Sequence, residues 1–227
     1  MSAAEAPARP PVKLAVLISG EGTNLQAIID ASSRGELKAD IRLVVSNKSA
    51  ARGIERARRH GISAQVLDHR QFATREDFDR ALVATLKSHD VELVACAGFM
   101  RILSPVMVRA FPNRIMNIHP ALCPAFPGIN AQKAACEYGV RFSGCTVFFV
   151  GEGVDDGPII VQAVVPVYPD DDEVRLAARI HAEEHRIYPY AIRLYQEGRL
   201  EVRGRKVLIR DFPAARQSGA AINPPLP

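Results

Sequence analysis

The sequence predicts an α/β fold: a mostly parallel twisted sheet with helices on both faces and a Rossmann-like N-terminal half. Two observations carry the prediction. From Lys13 to about residue 112, short continuous apolar runs of strand length alternate with stretches whose apolar residues recur at helical spacing. The apolar runs also close on small or polar residues, at Ser19-Gly20, Ser46 and Gly98, as buried strands do before a turn.

The elements follow in order. Lys13 to Ser19 reads KLAVLIS and is too short for a buried helix. Gly20-Glu21-Gly22-Thr23-Asn24 follows, and Leu25, Ile28 and Ile29 begin a helical stripe that Gly35 ends. Thr23 and Gln26 have the spacing of a capping box. Ile41 to Ser46 is a second strand, Ala51 to Arg59 a helix, and Ala64 to Leu67 a short strand. Thr74 to Ser88 is a helix with Phe78, Leu82 and Leu86 on one face, and Val91 to Ala97 is another strand. Strand–helix alternation implies right-handed crossovers, and ligands of such sheets bind beyond the carboxyl ends of the strands. The loops after Ser19, Ser46, Ala97 and Asn117 therefore share one rim.

The second half reads differently. Arg114 to Ile118 is a strand running into a Pro-rich loop, His119 to Gly128, and Ala131 to Tyr138 is a helix ended by Gly139. Gly144 to Val150 and Ile159 to Val167 are strands joined by an acidic, Gly-rich turn. Asp172 to Gln196 is helical, with Pro189 expected to kink or split it. Leu200 to Val202 and Val207 to Ile209 fit a hairpin around Gly204. The expected organisation is one domain over 13–203, with halves meeting near residue 112. A disordered tail is expected over 1–12 and a C-terminal extension over 204–227.

Composition narrows the function. With 29 basic and 25 acidic side chains, the net charge of +4 suits an anionic small molecule but is too weak to imply nucleic acid. No apolar run reaches transmembrane length, and the Ala- and Pro-rich N-terminus lacks a signal-peptide core. Cys96, Cys123, Cys136 and Cys145 form no CxxC pair. The expectation is a reduced cytoplasmic chain without membrane or nucleic-acid partners, monomeric or weakly dimeric.

Four motifs can carry chemistry. Gly20 to Asn24, between a strand and a helix, can bring backbone N–H groups to a phosphate, though it equally suits an ordinary strand-to-helix turn. It is neither a dinucleotide fingerprint, since Leu25 stands at the third glycine, nor a P-loop. Asn117 and His119 lie two residues apart at a strand end, so an amide donor and a proton-transfer group share one side. A core or capping histidine is the structural alternative. Asp155, in Val154-Asp155-Asp156-Gly157, can orient a histidine or serve only as a turn acid. His181-Ala182-Glu183-Glu184-His185 matches H-x-x-E-H, a zinc pattern on a helix, against a solvated helix face. Only Glu197, Glu201 and Asp211 remain downstream as a third ligand.

Several separated stretches, in order, resemble the phosphoribosylglycinamide formyltransferase (glycinamide ribonucleotide transformylase) family. They are VLISGEGTNLQAII, VVSNKSAARGIERA, AGFMRILSP, NIHPALCPAFPG, GCTVFFVGEGVDDGPIIVQ and AEEHRIYP, within Lys13 to Val202. The resemblance implies formyl transfer from 10-formyltetrahydrofolate, used as co-substrate, to the amine of 5-phosphoribosylglycinamide, with no metal. It implies a phosphate loop at Gly22, Thr23 and Asn24, and a ribose-binding acid at Glu184. It implies folate contacts at Arg75, Met100, Arg101, Ile102, Leu103, Asn117, Gly151 and Val154, and a catalytic trio of Asn117, His119 and Asp155. The halves then read as nucleotide-binding, about 13–112, and folate-binding and catalytic, about 113–203. A His common in the family is replaced at Gln132 and at Phe148, outside the catalytic trio. The related methionyl-tRNA formyltransferases carry an added C-terminal domain and formyltetrahydrofolate hydrolases an N-terminal one, so neither is expected here. A zinc hydrolase on His181 and His185 is the reading from a different class.

Overall fold

The computed structural model describes residues 9–211. One nine-stranded sheet runs through it in the order β3-β2-β1-β4-β5-β6-β7-β9-β8. Here β1 is Val12–Ile18, β2 Ala39–Ser46, β3 Ala64–Val66, β4 Leu93–Cys96 and β5 Ile115–His119. β6 is Phe142–Phe149, β7 Ile159–Pro166, β8 Leu200–Arg203 and β9 Lys206–Ile209. The first five strands are parallel; β6 runs antiparallel to both β5 and β7, β9 lies parallel to β7, and β8 runs antiparallel to β9. The strand order reverses beside β1, so the crevice at the carboxyl ends of β1 and β4 is where such a sheet binds ligands.

Alternation along β1 explains the two layers. Leu14, Val16 and Ile18 point into a core with α1 (Thr23–Ser33), α2 (Arg52–Arg59) and α6 (Glu173–Gln196). Ala15 and Leu17 point into the opposite core, with α3 (Arg75–Ser88) and α4 (Pro105–Ala110). α5 (Ala131–Tyr138) closes a third, smaller cluster with β6, β7 and the start of α6. Thr74 caps α3, accepting from Asp77 N at 3.0 Å, a bond of the kind that contributes about 1 kcal/mol.

Four expectations need correction. Thr23 is the first residue of α1 and not its cap: Gly22, at φ 73°, holds the cap position without a side-chain bond, so no capping box forms. Pro189 does not split α6, which is continuous over 24 residues. The missing backbone bond is offset by burial of Tyr188, Ala191, Ile192 and Leu194 on the same stretch. The N-terminal tail is shorter than 1–12: Val12 opens β1, and Gln196 Nε2 donates to the carbonyls of Arg9 and Pro10 at 3.1 and 3.0 Å. Residues 1–8 of that tail lie outside the described residues. The expected hairpin forms as β8 and β9, so the boundary at 203 falls inside an element, and 212–227 lie outside the described residues. α4 and a single 3-10 turn at His69–Gln71 had no clear periodic signal. No helix among the described residues is long and apolar enough to cross a membrane.

Candidate active site

β5 sets the centre of the site. Met116 and Ile118 face the α1/α6 core and Ile115 the α3/α4 core, so Asn117 and His119 project toward the α3/α4 side. The strand persists through His119, which pairs with Thr146 on β6, while Asn117 lies between Cys96 on β4 and Phe148 on β6. Tyr188, fully buried on α6, donates its hydroxyl toward the carbonyls of Cys96 and Met116, each at 3.0 Å. It thereby ties together the ends of the two strands that carry the site.

His119 is 4% exposed, and both ring nitrogens face acceptors. Nε2 lies 2.7 Å from the carbonyl of Phe126, and Nδ1 lies 3.5 Å from Asp155 Oδ2. A carbonyl only accepts, so Nε2 is placed to donate to Phe126, while Nδ1 lies at ion-pair distance from the carboxylate. Asp155 sits in the left-handed region at φ 49° in the β6–β7 turn, and its Oδ2 accepts from Gly128 N at 2.8 Å. The loop after β5 and the β6–β7 turn are thus joined at His119. The Asn117 carboxamide is half-buried and has no hydrogen-bond partner among the described residues.

On the other side of the crevice lies Gly20 to Asn24. Gly53 N donates to Gly20 O at 3.0 Å, and a Cβ on Gly22 would stand 2.8 Å from Gly53 Cα, so the loop presses directly on α2. Asn24 Nδ2 donates to Glu184 Oε2 at 2.9 Å, joining the start of α1 to the middle of α6. Burial pushes the Glu184 carboxyl above its ordinary range, against the Asn24 bond and the fields of His181 and His119. The imidazole of His119 lies near enough for its field to be felt at Glu184. Ser19 braces the rim: its hydroxyl meets Asn47 Oδ1 at 2.5 Å and accepts from Met100 N at 2.8 Å, linking the ends of β1, β2 and β4.

The remaining sequence-derived positions form the outer rim. Met100 and Ile102 are exposed, as is Val154 on the facing turn beside half-buried Gly151. Arg101 places its guanidinium over the Phe78 ring, 5.1 Å from the centroid, and Arg75 opens α3 half-exposed. Leu103 differs: its side chain is buried in the α3/α4 core and is not offered to a ligand. The zinc reading gains no geometry. His181 is exposed, and His185 faces a groove of about 420 Å³ lined also by Arg34, Arg56 and Arg186, a cationic wall. Among the described residues no group of three His, Cys, Asp or Glu side chains is placed to hold a metal.

Residues 12–192 match the formyl transferase family model, four-fifths of the chain. The chain belongs to the formyl transferase family. It is 44% identical over 191 residues to the phosphoribosylglycinamide formyltransferase of Escherichia coli (strain K12), covering 84% of this chain and 90% of that one. It is 50% identical over 188 residues to the trifunctional purine biosynthetic protein adenosine-3 of Drosophila melanogaster, covering 82% of this chain and spanning only 14% of that relative's length. Among solved structures, glycinamide ribonucleotide transformylase 1 from Symbiobacterium toebii superposes with a TM-score of 0.86 at 52% identity, covering 88% of this chain and 94% of that one. The formyl transferase match spans every site position named above. Sequence reasoning missed Ser19, Asn47, the Phe126 carbonyl and the Gly128 N–H. Backbone groups leave no residue-type signal, and Ser19 reads simply as the end of a strand.

Proposed function

We propose that this chain transfers the formyl group of 10-formyltetrahydrofolate to the amine of 5-phosphoribosylglycinamide, a step of purine synthesis. The observation that carries the reading is the meeting of Asn117, His119 and Asp155 at the crevice mouth, in a chain similar over most of its length to the E. coli phosphoribosylglycinamide formyltransferase. The phosphate would rest on Gly22, Thr23 and Asn24 at the N-terminus of α1, where backbone N–H groups and the helix dipole favour an anion. Glu184 would accept from the ribose hydroxyls with the oxygen that Asn24 leaves free. The exposed Met100, Ile102 and Val154 suit the flat ring system of the folate, and the guanidiniums of Arg75 and Arg101 its carboxylates.

In this reading the substrate amine attacks the formyl carbon directly. A C–N bond forms to the amine, the bond from the formyl carbon to the folate nitrogen breaks, and the proton lost by the amine ends on that nitrogen. Negative charge develops on the formyl oxygen. The unengaged Asn117 amide and the His119 Nε2–H are the donors for it, once that oxygen displaces the Phe126 carbonyl. Asp155 holds the cationic imidazole in place. The reaction needs no enzyme nucleophile and no metal.

The test is a formyl-transfer assay with phosphoribosylglycinamide and 10-formyltetrahydrofolate, beside arms with formate and ATP and with no acceptor. Formylated product in the folate arm supports the reading. Product only with formate and ATP overturns it, and formate release without acceptor at the same rate would make the chain a hydrolase.

A further inference from the structure

Asp79 is an acid that the chemistry above does not use. It is 1% exposed on the inner face of α3, one turn after Arg75. Its Oδ2 accepts the backbone N–H of Ser104 at 2.5 Å, at the residue that caps α4. Its neighbour Phe78 stacks on Phe99, with ring centroids 6.5 Å apart, and carries the Arg101 guanidinium on its other contact at 5.1 Å. Arg101 Nε is buried with no hydrogen-bond partner among the described residues. Segment 99–104 is therefore clasped to α3 at three successive places: a ring, a cation and a backbone N–H.

We propose that Asp79 is a positioning residue for the folate-side rim, its buried carboxylate fixing segment 99–104 on α3 and holding the Arg101 guanidinium where a ligand carboxylate can reach it. This rests on the reading of residues 100–103 as the folate-facing segment. The chemistry supports the role. An isolated buried carboxylate would be unfavourable without a partner, and here the Ser104 N–H supplies the hydrogen bond while the charges of Arg101 and Arg75 favour the ionised form from further off. Burial still pushes the Asp79 carboxyl above its ordinary range, ahead of the pull from Ser104 and the two arginines. An apolar side chain would fill the space as well, so what the carboxyl adds there is the bond that orients the rim at Ser104.

The experiment is steady-state kinetics of Asp79→Asn, which keeps an oxygen for the Ser104 N–H and removes the charge. The expected result is a KM for 10-formyltetrahydrofolate raised about tenfold, with kcat and the KM for phosphoribosylglycinamide within about twofold of wild type. Arg101→Ala should raise the folate KM by a similar factor, and the double variant should be no worse than the larger single effect. Should Asp79→Asn melt far below wild type, Asp79→Ser, also an uncharged acceptor, takes its place. Unchanged folate KM in the Asp79 variant beside a raised one in Arg101→Ala overturns the proposal and leaves the folate reading standing. Additive effects, or a loss confined to kcat, also overturn it. Unchanged KM in both variants removes the folate reading of the rim and the proposal with it.

Discussion

Two acids bear on the site in different ways: Asp155 lies 3.5 Å from the His119 ring, and Glu184 is held by Asn24 at the start of α1. Glu184 stands in the middle of a 24-residue helix, buried, and accepts from the Asn24 amide. Asp155 stands in a turn, in a left-handed conformation, with the Gly128 N–H on one side and the imidazole on the other. The helical acid is fixed by packing and carries a burial penalty in its charged form. The turn acid is fixed by two loops that also supply the Phe126 carbonyl on His119, so its position depends on how those loops lie. The difference suits the proposed roles: a rigid acid for recognition of an unchanging ribose, and an acid on loops for a centre where one hydrogen-bond partner would be exchanged for another.

Variants can break that division of labour. His119→Ala removes the imidazole, and turnover should fall by about 10³-fold or more while folate binding, measured by fluorescence quenching, stays within about twofold. Turnover near wild type would remove His119 from the chemistry. Asp155→Asn should lower turnover by about 10²-fold, since the imidazole loses the carboxylate 3.5 Å from its Nδ1. Turnover near wild type would reduce Asp155 to a turn residue.

Glu184→Gln sharpens the other side. The folded-state carboxyl is raised, so the folded chain holds that proton more tightly than the unfolded chain. The associated stability is full below the unfolded value, about 4.3, and is lost as pH rises through the raised one. Gln keeps an oxygen for Asn24 and has no charge to bury. The variant should melt higher than wild type near neutral pH, with the gap closing as pH falls toward about 4. A lower melting temperature at every pH would show that the charge stabilises the fold. The smallest kinetic effect is expected from Tyr188→Phe, which leaves the Cys96 and Met116 carbonyls without their hydroxyl. It should reduce unfolding free energy by about 1–3 kcal/mol in urea titrations and change kcat by only a few-fold.

Much of the fold was legible because its strands are buried on both faces. KLAVLIS and Leu43 to Val45 hold continuous apolar runs, and nothing but a strand of that length fits between two turns. Asn117 and His119 were legible as a pair because strand spacing is two, although spacing alone favoured a structural histidine. Asp155 was not legible from pattern: its approach to His119 depends on a left-handed turn between antiparallel strands, and only the family motif pointed there. The Thr23 capping box and the break at Pro189 were misread because local propensity lost to tertiary packing, of Gly22 against α2 in one case and of α6 on the sheet in the other. Asp79 carried no signal, because a single acid on an amphipathic helix looks solvated until its face is known.

The central claim is that Asp155 serves the chemistry and Glu184 holds the substrate. Steady-state kinetics of Asp155→Asn and Glu184→Gln, run side by side with both substrates varied, test it most directly. The account predicts a fall in kcat with little change in either KM for the first, and for the second a KM for phosphoribosylglycinamide raised about tenfold with kcat nearly retained. The same parameter moving in both variants, or the two patterns exchanged, would contradict it.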